Sequence, residues 1–143
     1  MSEYDARMKR GLKMLKQLGR EGGMMNHKEI YPDLYDLTVG HLFGDIWTRP
    51  HLSVRDRELI TLTTVVVLAY ANGTQSHLRS ALHLGMTKEE IMEVLIQIGA
   101  YAGWPRLAQA VREFTKVLES EGAKAGTPKK AAAKKRRGAR AGR

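Results

Sequence analysis

The side chains best suited to proton chemistry are His77 and Glu58, nineteen residues apart. His77 borders a helical apolar stripe of Leu78, Ala81, Leu82 and Gly85. An imidazole held half-buried between helices titrates near neutrality and can deliver a proton. Periodicity alone leaves a second role open, that of a hydrogen-bonded structural residue. Glu58 lies one turn into an otherwise apolar helix. It either complements the positive helix N-terminus or orients His77 and holds its proton. Arg49, Arg55, Arg57 and Arg79 are candidates to bind an anionic substrate, because a guanidinium matches a carboxylate with two parallel hydrogen bonds. Arg49 and Arg79 are singled out, whereas Arg57 has Glu58 and Asp56 beside it. Tyr101 and Trp104 flank Gly103 and serve as core or as pocket wall.

Other chemistries find little support. His27, His41, His51 and His83 have no metal-ligand spacing, and no His-Glu-x-x-His motif or glycine-rich phosphate loop is present. We therefore expect no metal and no cofactor. The sequence has no cysteine, which removes thiol and disulfide catalysis and fits a reducing compartment.

The elements that must position these residues lie mainly between Leu52 and Gln109. Ser53 with Asp56 three residues on reads as a capped helix start. The run from Val54 to Ala71 is apolar on nearly every face and too long for a strand. It predicts a central helix that must be wrapped on all sides, in part by another subunit. Asn72-Gly73 should break it, and Thr74 to Leu84 should form the next helix, stopped by a left-handed Gly85. Thr87 to Glu90 reads as a capping box for a helix with Ile91, Val94, Leu95, Ile98 and Ala102 facing inward. Gly103-Trp104-Pro105 then ends one helix and begins another.

Upstream, Met8, Leu12, Leu15 and Leu18 predict a short amphipathic helix over Tyr4 to Leu18, followed by a flexible break at Gly19 to Gly23. Pro32 should open a segment with Leu34, Leu37, Val39 and Leu42 in the core, and Phe43 to Pro50 should be a loop. The fold class is therefore all-α, with helical hairpins around a buried central helix. We expect a single helical domain over residues 1–121 and a disordered tail over residues 122–143.

Charge supports that division. Of 24 basic residues, nine lie between Gly122 and Arg143, where there is no acid. Residues 1–121 are balanced, with fifteen bases against fifteen acids. The Lys-, Arg- and Ala-rich tail cannot bury enough apolar surface to fold by itself. With no aromatic residue to stack on bases, it could bind nucleic acid only through phosphate and without sequence preference. The N-terminus has no signal-peptide pattern, and no apolar run is long enough to span a bilayer. A cytoplasmic protein with no membrane association is the expectation.

The motifs Arg55-x-Arg57-Glu58-Leu59-x-Thr61-Leu62, His77-Leu78-Arg79-x-Ala81-Leu82 continuing through Gly85, Thr87 and Glu89-Glu90-Ile91, and Tyr101-Ala102-Gly103-x-Pro105 are quite specific in combination. Together they resemble the carboxymuconolactone decarboxylase family, over roughly Leu42 to Leu118. Gly11-Leu12-Lys13 and Phe43-Gly44-Asp45-Ile46-Trp47-Thr48-Arg49-Pro50 are also similar to its decarboxylase branch. The resemblance implies an alkylhydroperoxidase-like helical fold. It also implies cofactor-independent decarboxylation of γ-carboxymuconolactone, an anionic lactone of aromatic-compound catabolism in the β-ketoadipate pathway. His77 matches the family's catalytic histidine and would be the proton donor, with Glu58 setting its orientation. A homohexamer built as a trimer of dimers is implied as well. The family's other branch is a thiol peroxidase that places a Cys-x-x-Cys pair between the glutamate and the histidine. Here those positions are Tyr70 and Gly73, so that chemistry is disfavoured. A different class of function is a catalytically idle homologue whose basic tail binds nucleic acid.

Overall fold

The computed structural model describes residues 1–25 and 28–126. All the regular elements among them are helical, as the apolar periodicities predict. His27 and, from residue 127 on, the tail lie outside the described residues.

Helix α1 spans Glu3–Gln17, starting at a Ser2 cap whose hydroxyl accepts the Asp5 N–H while Asp5 returns the bond. The chain leaves α1 through a left-handed Gly19, with Arg20 N donating to Leu15 O at 2.8 Å and Gly19 N to Lys16 O at 3.1 Å. A Cβ on Gly19 would lie 2.7 Å from the His83 ring. Glycine is therefore required twice, for its φ and for its closeness to that ring. Short helices α2 (Glu21–Met25) and α3 (Pro32–Asp36) follow, and α3 runs directly into a π-helical segment, Leu37–Ile46.

That segment replaces the loop expected from Phe43. Its wider turns bring Tyr35, Val39, Phe43 and Trp47, every fourth residue, onto one buried face. Leu34, Leu37 and Leu42, expected in the core, are exposed instead. The helix ends with Trp47 N donating to Leu42 O, five residues back. In α1 the buried residues are Gly11, Met14 and Leu15, joined by Leu18 at the C-cap, while Leu12 is exposed. The two elements touch through backbone. A Cβ on Gly11 would meet Val39 O at 1.8 Å, and one on Gly44 would meet Arg7 O at 2.5 Å.

The remainder is a four-helix array: α4 (Val54–Val67), α5 (Ala71–His83), α6 (Lys88–Ala102) and α7 (Trp104–Gly126). The predicted capping boxes at Ser53 and Thr87 are both formed. Gly85 is left-handed, at φ 89°. The break after α4 falls earlier than expected, at Ala69, which takes φ 60° while its own N bonds Val66 O and Tyr70 N bonds Val65 O. Asn72 and Gly73 are then free to form the first turn of α5. A non-glycine residue at such an angle costs about 1–2 kcal/mol, and the two recovered carbonyl bonds offset part of it. Helix α7 continues to Gly126, past the expected boundary at Glu121.

Leu62, Val66, Leu78, Ala81, Ile91, Leu95 and Phe114 form the core of this array. Helix α4 is covered on one side only. Glu58, Leu62 and Val66 are buried, while Ile60, Val67 and Leu68 face outward uncovered. Among the described residues no helix is long and apolar enough to cross a membrane.

Candidate functional site

Glu58 and His77 come together at the contact between α4 and α5. The Ser53 cap fixes the start of α4, so Glu58 falls on the same buried face as Leu62 and Val66. The turn at Ala69 folds α5 back along α4, and His77 meets the carboxylate, its Nδ1 being 2.7 Å from Glu58 Oε1. Glu58 is 0% exposed and His77 8%. The other carboxylate oxygen, Oε2, is buried without a hydrogen-bond partner among the described residues.

A third residue completes the site. Arg20 Nη1 lies 3.3 Å from His77 Nε2. A guanidinium can only donate, so Nε2 accepts, and the ring proton sits on Nδ1 facing Glu58. This fixes the resting tautomer. Arg20 also stacks over the Phe43 ring, 5.8 Å from its centroid. Burial pushes the Arg20 guanidinium below its ordinary pKa, and the Glu58 charge opposes that shift. With neutral His77 between them, Glu58 and Arg20 balance one negative charge against one positive charge.

Sequence reasoning missed Arg20 because it sits in what reads as a flexible Gly-x-x-Gly-Gly break, with no apolar pattern around it. The available signal was Gly19, a helix stop that fixes the direction of the next residue.

The other candidates are not gathered around His77. Arg49 lines a groove of about 430 Å³ with Arg10, Lys13 and Trp47. Arg79 reaches Glu121 at 3.8 Å and Gln75 at 3.5 Å. Arg55 pairs with Glu90 at 3.0 Å. Arg57 pairs with neither Glu58 nor Asp56; it donates to Arg49 O at 2.8 Å and Pro50 O at 3.4 Å, bracing the turn that precedes α4. Tyr101, 88% exposed, lines a groove of about 520 Å³ with Leu59, Thr63, Glu93 and Gln97. Trp104 covers Gly99 and is otherwise exposed. No cluster of three possible metal ligands occurs among the described residues.

A buried Glu–His pair without cysteine, spanning two consecutive helices, is the arrangement anticipated from the motifs. Residues 32–116 match the model of the carboxymuconolactone decarboxylase family. The chain belongs to that family. It is 26% identical over 122 residues to a 4-carboxymuconolactone decarboxylase of Acinetobacter baylyi, covering 82% of this chain and 91% of the relative. An uncharacterised protein of Methanocaldococcus jannaschii is 33% identical over 96 residues, covering 66% and 91%. A nitrosuccinic acid decarboxylase of Metarhizium robertsii is 30% identical over 76 residues, 53% of each chain. A decarboxylase-like role is what the family match and the two relatives named as decarboxylases support. The family match begins at residue 32, so Glu58 and His77 fall within it and Arg20 lies outside.

Proposed function

We propose that the protein is a cofactor-independent carboxy-lyase acting on γ-carboxymuconolactone or a related anionic lactone or keto acid of aromatic-compound catabolism. The observation that carries this reading is the buried 2.7 Å Glu58–His77 pair in a chain of the carboxymuconolactone decarboxylase family.

Such a substrate needs no external electron sink. The bond to the departing carboxylate breaks, CO₂ leaves, and the electron pair passes through the ring double bond to the lactone carbonyl. A dienolate results, and a ring carbon then takes up one proton. A dianion becomes a monoanion plus CO₂, so each turnover consumes one proton. His77 Nε2, the nitrogen turned away from Glu58, delivers it. The Glu58 carboxylate holds the Nδ1 proton and stabilises the imidazolium that precedes delivery. Without cysteine there is no thiol to reduce a peroxide.

The test is turnover of the lactone by His77→Gln, a swap that nearly conserves volume. We expect folding to be kept and turnover to fall by about 10²-fold or more, with a smaller loss in Glu58→Gln. Near-normal turnover in His77→Gln would remove His77 from the mechanism.

Self-association belongs to the same proposal. Ile60, Val67 and Leu68 leave an apolar side of α4 uncovered, which supports a homo-oligomer, and the family resemblance points to a hexamer built as a trimer of dimers. Nucleic-acid binding by the basic tail is a separate property. It predicts salt-sensitive DNA binding that is lost on truncation after Glu121, with lactone turnover unchanged.

A further inference from the structure

Arg20 stands where a cation needs a reason. Its guanidinium is partly buried against Phe43, and no carboxylate among the described residues lies within salt-bridge distance of it. Among the described residues its one side-chain hydrogen bond is to the lone pair of His77 Nε2 at 3.3 Å. Arginine has five N–H donors in a planar fork, and a single bond to imidazole leaves most of that fork unused. None of those remaining donors is among the buried unpartnered atoms, so they stay open to solvent and to an incoming anion.

The position is also awkward for the histidine. A proton donor must carry a proton on Nε2, yet Arg20 points a cationic N–H at that atom. An imidazolium there would set N–H against N–H. Arg20 must turn away from Nε2 before His77 can be loaded.

We propose that Arg20 is the substrate-carboxylate anchor of this site, and that engaging a carboxylate draws its guanidinium off His77 Nε2. The anion takes the unused fork in two parallel bonds and is thereby held beside the nitrogen that delivers the proton. Nε2, relieved of the Arg20 donor and facing an added negative charge, becomes free to take a proton from solvent. The resting charge balance also gives selectivity. Glu58 and Arg20 cancel, so the one carboxylate that Arg20 takes is balanced locally by one proton on His77. A neutral ligand offers Arg20 nothing in exchange for its bond to Nε2.

This inference rests on the decarboxylase reading for the identity of the substrate, but its test does not require turnover. Full-length protein carrying ¹⁵N-histidine is titrated with succinate, a simple dicarboxylate, and His77 is followed by NMR. His77→Gln assigns the signal. In the unsubstituted protein, succinate should shift the Nε2 resonance. In Arg20→Met, which keeps an apolar stem against Phe43, that response should vanish. In Arg20→Lys, which keeps the charge but loses the fork, it should weaken. In parallel, the KM for the lactone should rise roughly 10- to 100-fold in Arg20→Met, in line with loss of a charge-assisted hydrogen-bonded pair, and kcat should fall less. A His77 response unchanged in Arg20→Met, or no response in the unsubstituted protein, overturns the anchor. An Arg20-dependent response in a protein that decarboxylates no lactone or keto acid sinks the decarboxylase reading and leaves the anchor standing.

Discussion

The N-terminal cluster and the four-helix array pack by different means. In the array, large side chains interdigitate: Leu62, Leu78, Ile91, Leu95 and Phe114 are each almost wholly buried, and helices meet through side-chain volume. In the N-terminal cluster, α1 and the π-helical segment approach so closely that backbone meets backbone at Gly11 and Gly44. One region depends on the presence of side chains and the other on their absence. The site lies on the seam between them. Glu58 and His77 are supplied by the array, whereas Arg20 is held by the end of α1 and by Phe43 of the π-helical segment. The Glu58–His77 pair and the cation that faces it therefore rest on different regions.

The largest expected effect is Leu95→Ala, which should cost about 2–5 kcal/mol by opening a cavity in the array. It should lower the melting temperature of the whole chain. Gly11→Ala should cost about 1–3 kcal/mol or more, since the nearest atom is the fixed backbone oxygen of Val39. Its damage should be local. Hydrogen exchange should rise in α1 and the π-helical segment while amides of α5 and α6 stay protected. Equal loss of protection throughout Gly11→Ala would show that the two regions unfold as one unit and would break the comparison.

Ala69→Gly sharpens it from the array side. Relief of the left-handed angle, less the extra entropy of an unfolded glycine, should stabilise by about 0.5–1 kcal/mol, visible as a raised melting temperature with activity unchanged. The smallest effect concerns Glu113. Lys116, at 2.9 Å, and Gln75 both hydrogen-bond its carboxylate and hold its pKa below the ordinary 4.5. Because the folded value is the lower one, this contribution is complete above pH 4.5 and disappears as pH falls through the depressed value. Lys116→Met should lower the neutral plateau slightly and leave stability below the depressed value unchanged, which flattens the acid limb of a stability-against-pH curve.

The same contrast explains what could be read in advance. Caps at Ser53 and Thr87, the stop at Gly85 and the inward face of α6 follow local rules that act within one turn or one helical repeat. Those rules, together with the family motifs, were enough to name Glu58 and His77. In the N-terminal cluster α1 obeys the same rules, with its Ser2 capping box and Gly19 stop, but the π-helical segment does not. A strict every-fourth-residue spacing from Tyr35 to Trp47 does not fit a 3.6-residue turn; of the expected core positions Leu34, Leu37, Val39 and Leu42, only Val39 is buried.

By itself, then, the sequence determined an all-helical chain with α4, α6 and α7 begun at the right residues, and a glutamate and histidine on facing helices. It did so because capping and amphipathic periodicity are short-range properties. Only the tertiary structure decided that the chain would turn at Ala69 and not at Asn72-Gly73, that Phe43 would begin no loop, and that Arg20 would reach His77 across fifty-seven residues. Each of these depends on a contact between segments distant in the chain or on strain recovered elsewhere. Such terms enter the free energy only once α1, the π-helical segment and α5 are packed together.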